Sequence, residues 1–407
     1  MRSFRDLVDR LTENPTEDLM SALIGRAEQD KLNDEDIAYL TVRLAESGEI
    51  VSESALSTTA DIASTGGPSS LSTLLTPLYL RALGYLVPKL AVPGRPAGGI
   101  DVLAQIPCYR VEFTPTEMNR LLKESGYVHC LASKQFAPLD ALFFSFRKRT
   151  GKINIPGLAI ASLLAKKKAA GVSVVGLDVR VAPHGNFGTT ISEATENAKC
   201  FCRVASLVGC QALCFLSDGR APYQPYIGRG EALAAVLHVI TGKADQWLRK
   251  HDDACYAMAH RLAILEPQGG PVARPSSISI SHIFRENLEA QGAAYNDFEH
   301  HASSVLGQHT ISVTAPCDGF LDVNLEELRT LLVHFQGITA TTAIPFTDPC
   351  GIILRQPRGS YVQKGDLIAT VRAPEQFSED MLIGVRAGLP VTVAPLSDTY
   401  FNEVSYG

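Results

Sequence analysis

Between Val172 and Val181 the chain reads VSVVGLDVRV, a nearly unbroken apolar run rich in β-branched residues. A run of that kind marks a strand covered on both faces. Such a strand needs helices above and below its sheet, and the flanking sequence offers them. VHCLAS and CQALCFLS read as further strands, while 138–170, 190–208, 229–241 and 243–263 read as helices. The alternation predicts an α/β fold with a mostly parallel sheet.

The two ends differ in texture. Residues 1–57 read as helices. Asn33 with Asp36 makes an N-cap before IAYLTVRLAESG, and Gly48 closes that helix. Residues 59–110 alternate short extended segments with a helix near 70–84, and TPTEMNRLLKESG reads as a capped helix ending at Gly126. From about 308 the chain turns to short strands between Gly and Pro turns, a separate β-rich module.

Composition excludes several classes. Hydrophobic content of 45% and charged content of 20% fit a soluble globular chain. A net charge of −6 argues against general nucleic-acid binding. No apolar run approaches the ~20 residues needed to cross a bilayer. The charged start, MRSFRDLVDRLTENP, lacks a signal-peptide core, so a cytoplasmic location is expected. Nine cysteines, an odd number, favour reduced thiols. Cys200, Cys202, Cys210 and Cys214 lack CxxC spacing and a nearby His, so they read as buried thiols rather than metal ligands. His300, His301 and His309 read as solvated residues of a polar loop. No metal or cofactor is expected.

One constellation carries chemistry. Ser162 and Lys166 lie on one helix face in NIPGLAIASLLAKKKAAG, and Arg147 stands just upstream, before the break at Gly151. Two fixed cations and a hydroxyl in one cleft suit a planar ligand on which negative charge develops, such as a departing pyrimidine anion. Taken singly, Lys166 is a solvated lysine in a KKK run and Ser162 a small buried helix residue. Lys148, Arg149, Lys167 and Lys168 read as surface charges. A second segment, STGGPSSLST from Ser64, is a glycine-rich turn running into a helix start. Its backbone N–H groups can cradle an anion, with Ser64, Thr65, Ser69, Ser70 and Thr73 adding hydroxyls. A Gly-Gly turn with a Ser cap is also simply common. Asp178, at the carboxyl end of the apolar strand, either orients polar groups near the cleft or caps the next turn.

FAPLDALFFSFR, NIPGLAIASLLAKKKAAG and VVGLDVRV resemble the thymidine and pyrimidine-nucleoside phosphorylase family, as does STGGPSSLSTLLTPLYLRALGY with VPGRPAGGIDVLAQIP behind it. The likeness runs from LNDEDIAYLTVRLAESGE to GSYVQKGDLIATVRAP. It implies that Arg147, Ser162 and Lys166 are the catalytic, base-holding set, and that Ser64, Thr65, Gly66, Gly67, Thr73 and Arg95 bind sugar or anion. The architecture it implies is a small all-helical domain (1–57 with 138–170) joined to a larger α/β domain (58–137 with 171–305), followed by a β-rich α+β module (306–407). The cleft lies between the first two and closes over substrate. The implied partners are a nucleoside or pyrimidine base and, as candidate acceptor, phosphate, with neither nucleic acid nor membrane. A homodimer through the N-terminal helices is also implied. LVDRLT and DIAYLTVRLA add apolar circumference for it, unless those faces pack internally.

The resemblance breaks on the phosphate side. Where the family reads Lys-His-Ser-Thr-Gly-Gly, this chain has Ile62, Ala63, Ser64, Thr65, Gly66 and Gly67; where it reads Ser-Gly-Arg-Gly, Pro93, Gly94, Arg95 and Pro96 stand. A family Thr falls near Gly99, a Ser on Thr73, and a Tyr on Phe144. Losing the Lys removes a charged hydrogen bond to phosphate of ~1.5–3 kcal/mol, one to two powers of ten in affinity, which Arg95 could partly restore. The expected activity is a pentosyltransferase that cleaves or forms an N-glycosidic bond with a weakened or altered phosphate site. A phosphate-independent nucleoside hydrolase and a non-catalytic pyrimidine- or nucleotide-binding relative are the alternatives.

Overall fold

The computed structural model describes residues 3–51, 58–133, 135–182, 187–266, 273–396 and 404–407. Three helices open the chain: α1 (Phe4–Glu13), α2 (Glu17–Gln29) and α3 (Asp34–Ala45). Each begins where a short polar side chain accepts an N–H of the first turn: Ser3, Thr16 and, at 2.7 Å, Asn33. Next come β1 (Ala60–Ser64), α4 (Ser72–Ala82), β2 (Val87–Ala91), the short α5 (Ile100–Leu103), α6 (Pro115–Ser125) and β3 (Tyr127–Leu131). Helix α6 is held at one end by a reciprocal capping pair, Thr114 and Glu117, and at the other by Gly126 at φ 73°.

The helices α7 (Pro138–Arg149) and α8 (Pro156–Ala169) follow. After them come β4 (Val174–Val181), α9 (Ile191–Leu207), β5 (Gln211–Asp218), β6 (Tyr226–Ile227), α10 (Arg229–Ile240), α11 (Gln246–Leu265), α12 (Ser277–Ala290) and α13 (Tyr295–Gly307). The last stretch holds β7 (Ile311–Thr314), β8 (Gly319–Leu321), α14 (Leu325–Thr339), β9 (Gly351–Leu354), β10 (Tyr361–Val362), β11 (Leu367–Arg372), α15 (Ser378–Gly388), β12 (Val391–Thr392) and β13 (Val404–Tyr406).

Strands β1, β4 and β5 run parallel in that order, and β13 closes the edge antiparallel to β5. All eight residues of β4 are buried, as its apolar run requires. Strands β2 and β3 form a separate parallel pair, bridged to the start of β1 through Leu86 and Thr59. One face of the sheet shares an apolar cluster with α1–α3 and α7–α9, the other with α4 and α10–α13. A third cluster holds the two antiparallel sheets, β6-β9-β11-β7 and β10-β8-β12, against α14 and α15.

Two details depart from the sequence reading, and the helices of the C-terminal module fit it. Helices α12 and α13 fill a stretch for which no elements were expected, so His300 and His301 are helical rather than in a loop. Helices α14 and α15 supply the helical half of the C-terminal α+β module. The apolar face of α1, Phe4, Leu7, Val8 and Leu11, is buried within the chain, where α1 packs on α2 and α3. The excess apolar circumference that pointed to a second copy is thus covered internally. No helix among the described residues is long and apolar enough to cross a membrane.

Candidate active site

The residues expected to hold a base sit on α7 and α8, whose Pro138 and Pro156 open each helix at a position that needs no N–H partner. Ser162 and Lys166 come together as their spacing predicts. The Lys166 ammonium donates to Ser162 Oγ at 2.9 Å and to the Ser162 carbonyl at 3.0 Å. Its third proton goes to Asp140 in the first turn of α7, a carboxylate the sequence reading passed over. Lys166 is 12% exposed and Asp140 only 2%. The other carboxylate oxygen of Asp140, Oδ1, is buried with no hydrogen-bond partner. The ring of Phe144 lies 5.5 Å from the ammonium.

Arg147 does not join them as expected. It is 1% exposed, and all three of its nitrogens donate to backbone carbonyls: Lys152 at 3.2 Å, Leu158 at 3.0 Å and Ile153 at 2.7 Å. Burial pushes its pKa down to about 10, with Asp140 pulling the other way. The guanidinium clamps the 150–155 connection onto the first turn of α8. The orphan carbonyls of that irregular segment need donors, and an Arg fork satisfies several at once.

The glycine-rich segment runs from the carboxyl end of β1 to α4, beside the carboxyl end of β4, where open α/β sheets gather ligands. Gly66 and Gly67 have φ of 90° and 130°, and a Cβ at either would meet nothing within 4 Å, so the turn opens onto free space. Ser64 Oγ accepts the Gly66 N–H at 3.2 Å. The Thr65 N–H bonds the Asp178 carbonyl at 3.0 Å, and Thr65 Oγ1 accepts the Arg180 N–H at 2.9 Å. Thr73 lies in the first turn of α4, with Oγ1 3.3 Å from where a Cβ on Gly99 would sit. The two positions expected to correspond to a Ser and a Thr of the anion site are therefore neighbours. Arg95 is exposed at the second segment, and its charge, after burial, lowers the pKa of Lys148 on α7.

Ile62 is fully buried in the cluster on the α4 and α11 side of the sheet, its side chain against Gly176. Asp61 and Ala63 face the opposite side, toward α8. Two lysines converge on Asp61: Lys89 of β2, at 2.9 Å, and Lys167 of α8. Lys167, read from sequence as a surface charge, is 3% exposed, because one residue's step around α8 turns it from the solvent side onto β1. Burial pushes the Lys89 pKa down to about 8.

Asp178 is buried and caps no turn. Its Oδ2 accepts from Ser72 at 2.5 Å and from Arg180 Nε at 3.0 Å. His309, expected in solvent, has its ring buried, with Nε2 2.9 Å from Glu231. The nine cysteines are all unpaired thiols, and among the described residues no cluster of His, Cys, Asp or Glu is placed to hold a metal ion.

The helices α1–α3 and α7–α9 against one face of a parallel sheet, with α4 and α10–α13 on the other, define an α/β fold with a helical layer. It is shared with anthranilate phosphoribosyltransferase of Thermus thermophilus, at TM-score 0.53 and 14% identity, over 74% of this chain and 94% of that one. At that identity the likeness is one of fold. No family model matches the chain. Among curated proteins it is similar to the pyrimidine-nucleoside phosphorylase of Geobacillus stearothermophilus, 22% identical over 377 residues, 90% of this chain and 86% of that protein. The pyrimidine-nucleoside phosphorylase of Staphylococcus epidermidis is 24% identical over 363 residues, 86% of this chain and 83% of that protein.

Proposed function

We propose that the chain is a pyrimidine-nucleoside phosphorylase-like pentosyltransferase that breaks or forms the bond between a pentose and a pyrimidine base. The observation that carries the reading is the Lys166–Ser162–Asp140 constellation on α7 and α8, in a chain similar to pyrimidine-nucleoside phosphorylases. The sugar gains positive character as the base leaves with negative charge. The Lys166 ammonium, held in place by Asp140, stabilises that charge, and Ser162 holds the base edge. The open oxygen of Asp140 is an acceptor for a ring N–H. Arg147 acts through α8: by fixing the helix start it positions Ser162 and Lys166. The acceptor attacks the anomeric carbon from the Ser64–Gly67 loop, with Thr73 and Arg95 near it. The helices α1–α3, α7 and α8 move against the sheet-bearing part in this scheme, closing the cleft over substrate.

The test is base release from a panel of pyrimidine nucleosides, resolved by chromatography, with and without inorganic phosphate. Release that requires phosphate and yields the pentose 1-phosphate supports the proposal. Release of free pentose without phosphate replaces it with a hydrolase. No release from any nucleoside, with a pyrimidine still bound, replaces it with a binding protein.

A further inference from the structure

We propose that Arg180 supplies the cation of an oxyanion site at the Ser64–Ser70 turn, standing in for the lysine replaced by Ile62, and that the anion it takes is a phosphate group. The inference rests on the reading of this loop as an acceptor site. Arg180 comes from β4, across the sheet from β1, and is tied to both ends of the turn. Its N–H donates to Thr65 Oγ1 at 2.9 Å, and its Nη2 donates to Ser70 Oγ. Nε and Nη2 also reach Asp178 Oδ2, and the Tyr223 ring stacks 3.8 Å from the guanidinium carbon. These contacts fix the group's plane, and they leave Nη1 buried with no partner in a side chain only 4% exposed. A buried donor without an acceptor is uncommon in a folded protein and points to a missing group. The turn beside it has the form that anions fit, with two successive glycines in the left-handed region, open space above them and the start of α4 behind.

The surroundings set the kind of anion. Asp178 neutralises Arg180, and the neighbouring His251 is held neutral by burial, so no excess charge draws ions in general. Capture must come from directed donors: Nη1, the N–H groups of the turn beyond Gly66, and the hydroxyls of Ser64 and Ser70. A compact tetrahedral oxyanion, with oxygens pointing in several directions, engages more of such an array than a planar carboxylate with two. The phosphate is either free or the ester of a pentose phosphate, and the two share this chemistry.

The experiment is calorimetric titration of the full chain with inorganic phosphate and, separately, with ribose 5-phosphate, for wild type, Arg180→Gln, Arg180→Lys and Ser70→Ala. Wild type should bind at least one saturably, and Arg180→Gln should bind it about tenfold more weakly or worse. Binding of inorganic phosphate assigns the free anion; binding of ribose 5-phosphate alone assigns the ester. If wild type takes neither, or Arg180→Gln binds within about twofold of wild type, the proposal is overturned. Should Arg180→Gln not fold, Arg180→Lys and Ser70→Ala carry the test, since each disturbs the fork but spares the packing. Unchanged affinity in both overturns the proposal too. A uracil titration of the same variants separates this inference from the phosphorylase reading. Weakened phosphate with unchanged uracil binding locates the loss at the loop, whereas failure of base release from every nucleoside ends the phosphorylase reading alone.

Discussion

At the scale of single residues, the three positions singled out by spacing do different work. Lys166 has every proton assigned, to Asp140 and to Ser162, and stands at the rim of the buried region. Lys166→Met should lower turnover by about 10²–10³, the scale of losing one electrostatic donor, while most of the fold survives. Steady-state kinetics beside a denaturation curve checks both halves of that statement. Arg147→Ala should behave oppositely. It strips donors from three backbone carbonyls, and the loss should be about 3 kcal/mol or more of stability, read by urea unfolding, with inactivation secondary to unfolding. His251 adds a pH dependence. Its Nε2 accepts the Leu71 N–H at 2.9 Å, and burial, then the Arg180 charge, push its pKa down to about 3. The unfolded chain takes up that proton near the ordinary value of 6.5, so it binds more protons than the fold between there and about 3. This stability is full above pH 6.5 and is lost as pH falls toward 3. His251→Gln, which keeps an acceptor, should flatten the fall in melting temperature across that window. An identical acid profile in the variant would refute the role.

At the scale of elements, the α/β alternation was legible because β4 and β5 carry continuous apolar runs and α6 carries its capping pair. What escaped was set by tertiary contact. α12 and α13 bury narrow faces, Phe284 and Leu288 on one and Phe298 and Ala302 on the other, amid polar residues that read as loop. The meeting of Ser162 with Lys166 was written in their spacing, but Asp140 lies a helix away and nothing local marks it as their partner. The same holds for Asp61. Its two lysines come from β2 and α8, and only the packed sheet edge brings them together. That cluster holds one more positive charge than negative. Asp61→Asn should therefore cost ~3–5 kcal/mol, leaving two buried ammonium groups unpaired, whereas Lys89→Met leaves a balanced pair and should be near neutral. Paired thermal melts decide it; equal losses in the two variants would contradict the assignment. Ile62→Lys, the apparent repair of the family motif, should destabilise rather than restore phosphate use, because position 62 points into the apolar cluster and not toward the loop.

At the scale of the whole molecule, the C-terminal module is joined to the sheet-bearing part by charge as well as by strands. β6 pairs with β9, and Glu231 in the first turn of α10 accepts a two-pronged bond from Arg372 of β11, at 2.7 and 3.0 Å. Arg372 also bonds Asp348 at 2.7 Å, whose other contact is the Gly230 N–H. Burial raises the pKa of Glu231, but Arg372 and His309 outweigh it and hold it down to about 2, against an ordinary 4.5. A carboxyl lowered in the fold contributes stability that is complete above pH 4.5 and is lost as pH falls toward 2. The single tryptophan, Trp247 of α11, packs against the apolar cluster of that module, so its emission reports the junction. Acid titration should shift Trp247 emission as pH drops from 4.5 toward 2. Arg372→Met takes the shared cation from two buried carboxylates, leaving Glu231 only His309 and Asp348 only the Gly230 N–H, at a cost of ~3–5 kcal/mol, and should move the transition upward in pH. Because the junction lies away from Lys166 and Ser162, the variant should loosen the module before it affects binding of a pyrimidine. Emission that titrates alike in wild type and Arg372→Met would mean that the paired strands, not the buried charges, hold the module in place.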